Sequence, residues 1–303
     1  MQVGFIGLGA MGLPMTKHLV AAGHQVTVAS RSRAPIDAAV AAGARESDGP
    51  RAVADASDLV IMCVPDTPDV VSLVGDMLPA LRAGKTVVDT STIDPETERV
   101  QHERVTATGA AYLDAPLSGG SVGAERGTLT VMVGGDARVL ERARPAIDPF
   151  ADLVVHVGGP GMGQVVKLCN QMVYAAQMLA VAEASVFARA AGVDLAVMYD
   201  VMTHSTGDCT ALRTRIPYEG ARPDTPASNG WAPGFATELM AKDVDLALRA
   251  AARAGTPALT AGIVRPVLGA AVAAGWGRED FSALGKVVRR LAGEAVPGGT
   301  SGA

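Results

Sequence analysis

A strand pattern that runs directly into three spaced glycines is the feature that most limits how this chain can fold. An apolar run over residues 2–8 meets the spacing GxGxxG, and a helix pattern continues to about residue 22. In the strand–turn–helix unit that binds dinucleotides, such glycines allow a tight turn, close approach of the pyrophosphate and close helix packing. This predicts a dinucleotide site, with a ligand-free turn as the alternative. The predicted cofactor contacts are Gly7, Gly9, Ala10, Met11 and Gly12.

The residues after the second predicted strand, at 25–29, bear on which dinucleotide is bound. An NAD site usually has an acidic residue here for the ribose 2′-hydroxyl, whereas this chain has Ser30, Arg31 and Ser32. The serines can donate hydrogen bonds, and the planar guanidinium suits a 2′-phosphate. We therefore predict NADP rather than NAD as cofactor. A solvated loop at Arg31 and Arg33 is the alternative.

Strand and helix patterns alternate through the first half of the chain, which predicts an α/β fold with a doubly wound, Rossmann-type parallel sheet. The predicted strands cover residues 58–64, 85–89, 112–115, 128–133 and 153–157, and the predicted helices cover 66–81, 95–107 and 137–147. Ligands of such sheets lie outside the carboxyl ends of the strands. Val64, Pro65 and Thr92 fall at such ends and are predicted cofactor contacts, Thr92 on the nicotinamide side, while Ser91 fits a helix cap.

A segment rich in glycine and serine follows the strand predicted at residues 112–115. Residues 118–124 contain three glycines and two serines. This composition predicts a loop whose exposed backbone N–H groups form an anion-holding nest. A substrate carboxylate fits such a nest, although an ordinary flexible turn has the same composition.

One long helix is predicted from residue 164 to residue 191, after Gly161 and Gly163. Apolar residues cover nearly all of its faces, which indicates a helix buried on most sides. At about 1.5 Å per residue it is roughly 40 Å long. Lys167, Asn170 and Gln171 are spaced i, i+3 and i+4 and so share one face. A lysine that lines a cleft can exchange a proton with a substrate, whereas a lysine at a fraying helix end keeps its charge in water.

The remainder of the chain has an almost wholly helical pattern. Helices are predicted at residues 194–203, 237–254, 257–274 and 279–292, with an irregular segment at 207–233 that contains four prolines. A loop of this length is more often functional than idle. Lys242 follows it, flanked by Asp243 and Asp245, which a solvated charge cluster would also explain. We predict a dinucleotide-binding domain over 1–160, an all-helical substrate and oligomerisation domain over 161–292, and a disordered tail over 293–303.

Composition excludes several classes of partner. The formal net charge is −5 and the pI is about 5.6, so the chain lacks the basic surface that nucleic acid or an anionic membrane needs. No run of 18 apolar residues occurs and a strand pattern begins at once, so we expect neither a membrane span nor a signal peptide. The three cysteines form no CxxC, which predicts a cytoplasmic protein without zinc or disulfides.

Four separated blocks of this sequence together resemble the β-hydroxyacid dehydrogenase family. They are GLGAMGLPM at residues 7–15, DAPLSGG at 114–120 with GA at 123–124 and GTL at 127–129, GMG at 161–163 with Lys167 and Asn170, and KD at 242–243 with LA at 246–247. Their common order is more specific than any single block. Residues 226–243 are similar in particular to 3-hydroxyisobutyrate dehydrogenases.

The resemblance implies roles for individual residues. Lys167 would be the general acid/base, Asn170 and Gln171 would position the substrate hydroxyl or carbonyl, and Lys242 would lie against the cofactor or close the cleft. The substrate carboxylate would be held by Ser118, Gly119 and Gly120. The implied catalytic set is Ser118, Lys167, Asn170 and Gln171.

The implied reaction is hydride transfer between NADP and a small, carboxylate-bearing 3-hydroxy acid. Many members have Asn at the position of Gln171, whereas the similar tartronate semialdehyde reductases have Gln there. Reduction of tartronate semialdehyde, succinic semialdehyde or glyoxylate is therefore an alternative. An imine reductase and a nucleotide-binding regulator without turnover are two others, and Lys167 argues against the imine reductase. Because family members pair through the helical domain, the resemblance also implies a homodimer or homotetramer.

Overall fold

The computed structural model describes residues 1–296, so the end of the predicted tail, at 297–303, lies outside the described residues. The chain divides into two compact units, and the division falls after Lys167, inside one long helix. The first unit is Met1–Lys167 and the second begins at Leu168. The domain limits expected from the sequence stay predictions.

The first unit is built on one mostly parallel sheet. Its strands are β1 (Gln2–Ile6), β2 (Gln25–Ala29), β3 (Arg45–Glu46), β4 (Leu59–Met62), β5 (Thr86–Asp89), β6 (Ala111–Asp114), β7 (Leu117–Ser118), β8 (Leu129–Gly134) and β9 (Ala151–Gly158). The strand order is β3-β2-β1-β4-β5-β6-β8-β7, and β9 pairs with β8. Strands β1 to β6 pair in parallel, while β8 runs antiparallel to β6 and β7. This confirms the predicted α/β class.

The strands at the centre of this sheet are apolar on both faces because each face packs against its own core. Alternate residues of β1, β4, β5 and β6 enter two different clusters. One cluster contains Phe5, Ile61, Val88 and Leu113. The other contains Ile6, Val60, Val87 and Tyr112. Adjacent apolar residues therefore mark these strands in the sequence.

The helices of the first unit include three that the sequence patterns did not predict. The helices are α1 (Gly12–Ala21), α2 (Arg33–Ala41), α3 (Pro50–Ala56), α4 (Thr67–Met77), α5 (Pro95–Thr106), α6 (Gly120–Arg126) and α7 (Ala137–Ile147). The three that were not predicted are α2, α3 and α6. Helices α2 and α3 and the two-residue strand β3 were missed because they are short and have few buried positions. The expected open loop at 118–124 was wrong, since most of it is helix α6.

The second unit is all-helical, as expected. The long helix α8 covers Met162–Ala190, and α9 (Leu195–Met202), α10 (Thr210–Arg215), α11 (Thr237–Arg253), α12 (Leu259–Ala271) and α13 (Leu284–Leu291) follow it. The segment at 207–233, expected to be irregular, contains α10 and a 3₁₀ turn at Pro226–Asn229. By length and composition alone, α8 and Leu259–Trp276 could each cross a membrane, which is weak evidence because core helices pass the same test. The absence of a membrane span stays a prediction.

A cluster of buried acids lies under the carboxyl ends of β5 and β6. Glu98 on α5 is completely buried, and burial raises its pKa well above the ordinary 4.5, with the charges of Asp89 and Asp114 adding to the effect. Tyr112 is a neighbour of the same carboxyl group, and burial also raises the pKa of its hydroxyl. The folded chain therefore favours the neutral form of Glu98.

We expect Glu98→Gln to stabilise the protein increasingly as the pH rises above 4.5. Between the ordinary and the raised pKa the folded chain binds one more proton than the unfolded chain, so wild-type stability falls with pH by up to about 1.4 kcal/mol per unit. The glutamine variant loses this dependence. Urea unfolding at several pH values measures it, with the exposed Glu96→Gln as control. A difference independent of pH would contradict the burial of an acid.

Candidate functional site

The glycine turn between β1 and α1 has the geometry of a dinucleotide cradle. Gly7 has a φ of +96°, and its N–H donates to the carbonyl of Ala29 at 3.0 Å. A Cβ at Gly7 would overlap the carbonyl of Cys63, and one at Gly12 would overlap the carbonyl of Gly7. A Cβ at Gly9 would meet nothing within 4 Å. The turn thus presents open backbone at its second glycine, the position that approaches a pyrophosphate, and the residues present fit a dinucleotide.

The predicted residues for cofactor choice lie beside this turn. Ile6 and Ala29, the last residues of β1 and β2, are partners in the sheet, and the Leu8 N–H donates to the Ser30 hydroxyl at 3.4 Å. The Arg31 side chain is 79% exposed and forms an ion pair at 3.2 Å with Asp69, on α4. The sequence patterns gave no signal for this partner, which lies 38 residues away.

The ends of β4 and β5 are joined by backbone and side-chain hydrogen bonds. The Val64 N–H donates to the Ser91 hydroxyl at 3.0 Å, and the Ser91 N–H donates to Asp89 at 2.8 Å. The carboxylate that caps α5 belongs to Asp94, so the capping role expected for Ser91 was wrong. Val64, Pro65 and Thr92 lie at the same edge as the glycine turn because β1, β4 and β5 are neighbours in register.

Ser118 and the two glycines after it lie at the junction of β7 and α6. Ser118 ends β7 and pairs with Thr130 of β8. Gly119 and Gly120 have φ values of +130° and +63°, which turn the chain into α6 without the strain that a side chain would add. The predicted anion-holding segment is therefore a two-glycine corner rather than a loop.

The start of the long helix α8 is fixed by a buried carboxylate. Asp114, at the end of β6, is 1% exposed and accepts the N–H of Gly161 at 2.8 Å and that of Gln164 at 3.2 Å. Burial raises the pKa of Asp114, although these N–H groups oppose the rise. A Cβ at Gly163 would overlap the Met132 carbonyl and the Asp114 carboxylate. The glycine therefore lets the helix approach the acceptor closely.

Lys167 lies in the second turn of α8 and is only 6% exposed. A lysine at a fraying helix end would be open to water, so that interpretation of Lys167 was wrong. Asn170 is exposed, whereas Gln171 is 3% exposed. The helix thus carries a buried amine and two amides on one face.

In the second unit, Asn170, Gln171 and Lys242 are linked through one buried acid. The Asn170 amide donates to Gln171 at 3.1 Å, and the Gln171 amide donates to Asp243 at 2.7 Å. Lys242 forms an ion pair at 3.3 Å with the same carboxylate, which is 1% exposed. The interpretation of residues 242–245 as a solvated charge cluster was therefore wrong for Asp243, while Asp245 pairs with Arg265.

Metal ligands are not grouped in the part of the chain that the structure describes. Among residues 1–296, no three or more His, Cys, Asp or Glu side chains lie together so that they could hold a metal ion. Cys63, Cys169 and Cys209 are free thiols.

Both halves of the chain match families of nucleotide-dependent enzymes. Residues 2–158 match the family described as the NAD binding domain of 6-phosphogluconate dehydrogenase. Residues 161–288 match the family described as NAD-binding of NADP-dependent 3-hydroxyisobutyrate dehydrogenase. Together with the sheet and the glycine cradle, these matches define an oxidoreductase that binds a pyridine nucleotide.

Proteins similar to this chain indicate which kind of oxidoreductase it is. A probable 3-hydroxyisobutyrate dehydrogenase of Mycobacterium tuberculosis is 42% identical over 84% of this chain and 87% of its own. An NAD-dependent L-serine dehydrogenase of Pseudomonas aeruginosa is 37% identical over 94% of this chain and 97% of its own. The structure of the Mycobacterium tuberculosis 3-hydroxyisobutyrate dehydrogenase with L-serine has a TM-score of 0.88 and 39% identity, covering 95% of this chain and 98% of that one. The chain belongs to the β-hydroxyacid dehydrogenase family, which confirms the resemblance and supports activity on small hydroxy acids.

We expect Gly163→Ala to destabilise the first unit by forcing α8 away from Asp114 and Met132. Overpacking of this kind costs about 1–3 kcal/mol, which corresponds to a melting temperature lower by roughly 2–10 °C. Calorimetry measures the shift. Gly159→Ala is the matched control because a Cβ there meets nothing within 4 Å. Equal melting temperatures for the two variants would contradict the close approach at Gly163.

Proposed function

We propose that this protein transfers a hydride between NADP and a small 3-hydroxy acid of the 3-hydroxyisobutyrate type. The observation that carries the proposal is Lys167, a buried amine on a helix whose first turn is fixed by Asp114. The nicotinamide accepts or supplies the hydride when it is bound. The side chains of this protein then have to move one proton and hold one small anion.

Lys167 is proposed as the group that moves the proton. In oxidation its neutral amine takes the hydroxyl proton while the carbon bearing that hydroxyl loses its hydride, and a carbonyl forms. In reduction the ammonium returns the proton to the carbonyl oxygen. Burial at 6% exposure keeps water from competing for that proton, and a placed acid or base contributes about 10²–10⁴-fold to the rate.

The side-chain amides of Asn170 and Gln171 are proposed to have different roles. The Gln171 amide is already engaged with Asp243, while Asn170 is exposed. Asn170 therefore contacts the substrate oxygen in our proposal, and Gln171 holds Asn170 in place through the hydrogen bond between them. Lys242, paired with Asp243, is proposed to lie against the cofactor.

The corner formed by Ser118, Gly119 and Gly120 is proposed to hold the substrate carboxylate. Ser118 is only partly buried, so its hydroxyl is available at the surface of the first unit. The backbone N–H groups of the two glycines are unobstructed by side chains of their own. A carboxylate at this corner would fix one end of a small 3-hydroxy acid while the Lys167 amine acts at the other.

L-serine is the second candidate substrate, and a specific observation favours it. One relative that spans 94% of this chain is described as an L-serine dehydrogenase. Serine and 3-hydroxyisobutyrate share a hydroxymethyl group and a carboxylate, and they differ by an ammonium group in place of a methyl group. Initial rates with both acids, each with NADP and with NAD, decide between them.

NADP is proposed as the preferred nucleotide because of Arg31. Residues 30–33, directly after β2, contain no acid, and the Arg31 side chain among them is 79% exposed. One matching family is described as NADP-dependent, whereas the relative described as an L-serine dehydrogenase is described as NAD-dependent. Val64, Pro65 and Thr92 are proposed to contact the rest of the nucleotide, since they lie at the edge that carries the glycine turn.

A homodimer or homotetramer and a cytoplasmic location complete the proposal. Several large apolar side chains of the second unit are exposed, which is typical of a surface that another protein covers. They include Val173, Phe187, Val201, Leu259 and Ile263. Light scattering of the purified protein would measure the number of subunits.

We expect Lys167→Ala to lower kcat by about 10²–10⁴-fold, because it removes the group proposed to move the proton. The dissociation constant of NADP should stay within about threefold of the wild-type value, because the lysine contacts the substrate. Steady-state rates and fluorescence titration measure the two effects. Lys17→Ala, at an exposed lysine of α1, is the control. Retained turnover in Lys167→Ala would remove the basis of the proposed function.

We expect Arg31→Ala to raise the KM for NADP by about 10- to 100-fold, the loss of a charge-assisted hydrogen bond worth about 1.5–3 kcal/mol. The KM for NAD should change little, because NAD has no 2′-phosphate. Arg33→Ala is the matched control, since the Arg33 guanidinium already pairs with Asp37 and Glu46. An equal effect on both nucleotides would show that Arg31 does not read the phosphate.

A further inference from the structure

We propose that Gln164 is a positioning residue that holds the helix of Lys167 in fixed register with the loop after β5. The inference rests on the proposed function, because Gln164 acts through Lys167 on one side and through the nicotinamide-side residue Thr92 on the other. The family resemblance assigned no role to this glutamine.

The Gln164 side chain makes two hydrogen bonds that bracket Thr92. Its Nε2 donates to the carbonyl of Ser91 at 2.9 Å, and its Oε1 accepts the N–H of Ile93 at 3.2 Å. Gln164 is completely buried, so water does not compete for either bond. The Gln164 amide therefore bonds the backbone groups on both sides of Thr92. These two bonds fix the position of the turn at residues 91–93 relative to α8.

The backbone of the same residue is anchored to a second strand. The Gln164 N–H donates to Asp114, at the end of β6, while its side chain reaches the loop after β5. Because β5 and β6 are paired in register, the first turn of α8 is tied to two adjacent strand ends. Lys167 comes three residues later, about 4.5 Å further along the helix axis. A shift of the loop against the amine must therefore break a buried hydrogen bond.

An amide is the side chain that this arrangement requires. Methionine fills a similar volume but can serve neither the Ser91 carbonyl nor the Ile93 N–H. A carboxylate accepts from Ile93 but faces the Ser91 carbonyl with an oxygen that cannot donate. A protonated carboxyl group can donate and accept, and so replaces the amide at low pH. This difference separates positioning from simple packing.

We expect Gln164→Met to lower kcat by about 10- to 100-fold, the size of effect that a misplacement of about 1 Å causes. The KM values for NADP and for the acid should change less than about threefold. With 3-hydroxyisobutyrate deuterated at the hydroxymethyl carbon, the isotope effect on kcat should rise, because hydride transfer becomes rate-limiting. The kcat of Gln164→Glu, divided by the wild-type kcat at the same pH, should rise towards one as the pH falls, because the protonated carboxyl group replaces the amide.

The control is Gln101→Met, which removes another buried glutamine of the first unit. The Gln101 amide accepts from Arg104 of its own helix, so its loss should lower the melting temperature without changing the isotope effect. If Gln164→Met behaves like this control, or loses activity only in proportion to unfolded protein, the inference is wrong. Lys167→Ala, assayed in parallel, separates the two proposals, because an inactive lysine variant beside a fully active Gln164→Met overturns the positioning role alone.

Discussion

The structure depends on the carboxylate of Asp114, which is buried although most carboxylates in proteins are exposed to water. Asp114 ends a strand, is closed off from water, and accepts two N–H groups at the start of the long helix α8, those of Gly161 and Gln164. Those N–H groups have no partner within the helix and form the positive end of its dipole. The contact stabilises both the charge and the helix end, and it fixes where every later residue of α8 begins its turn. The two hydrogen bonds to Asp114 therefore also fix the position of Lys167 on the helix.

The general architecture could be predicted from the sequence because burial on both faces leaves a strong pattern. Strands β1, β4, β5 and β6 carry apolar residues on both faces, and Gly7 and Gly12 of the first turn are required because a Cβ would overlap the carbonyls of Cys63 and Gly7. Helix α6 escaped prediction because its glycines resemble a loop, although Gly119 and Gly120 only form the corner that leads into it. Sequence composition cannot separate a glycine that opens a helix from one that interrupts it.

The partners within the site could not be predicted, and the reason is distance along the chain. Gln164 and Ser91 are 73 residues apart, Gln171 and Asp243 are 72 apart, and Asp114 and Gly161 are 47 apart. The topology of the sheet and the packing of helices bring such residues together, and no local period encodes that. The types of residue were visible in the sequence, while their burial, which decides what a lysine or an aspartate can do, was not.

The ion pair between Arg31 and Asp69 has a consequence for how cofactor choice can evolve. Under the proposed assignment, the Arg31 guanidinium binds the 2′-phosphate of NADP. It already pairs with the Asp69 carboxylate of α4, so the phosphate competes with that carboxylate. A neutral residue at position 69 would free the cation without altering the residue that contacts the nucleotide. In descendants of this sequence, substitutions at the coupled positions 31 and 69 can therefore shift the preference between the two nucleotides in small steps.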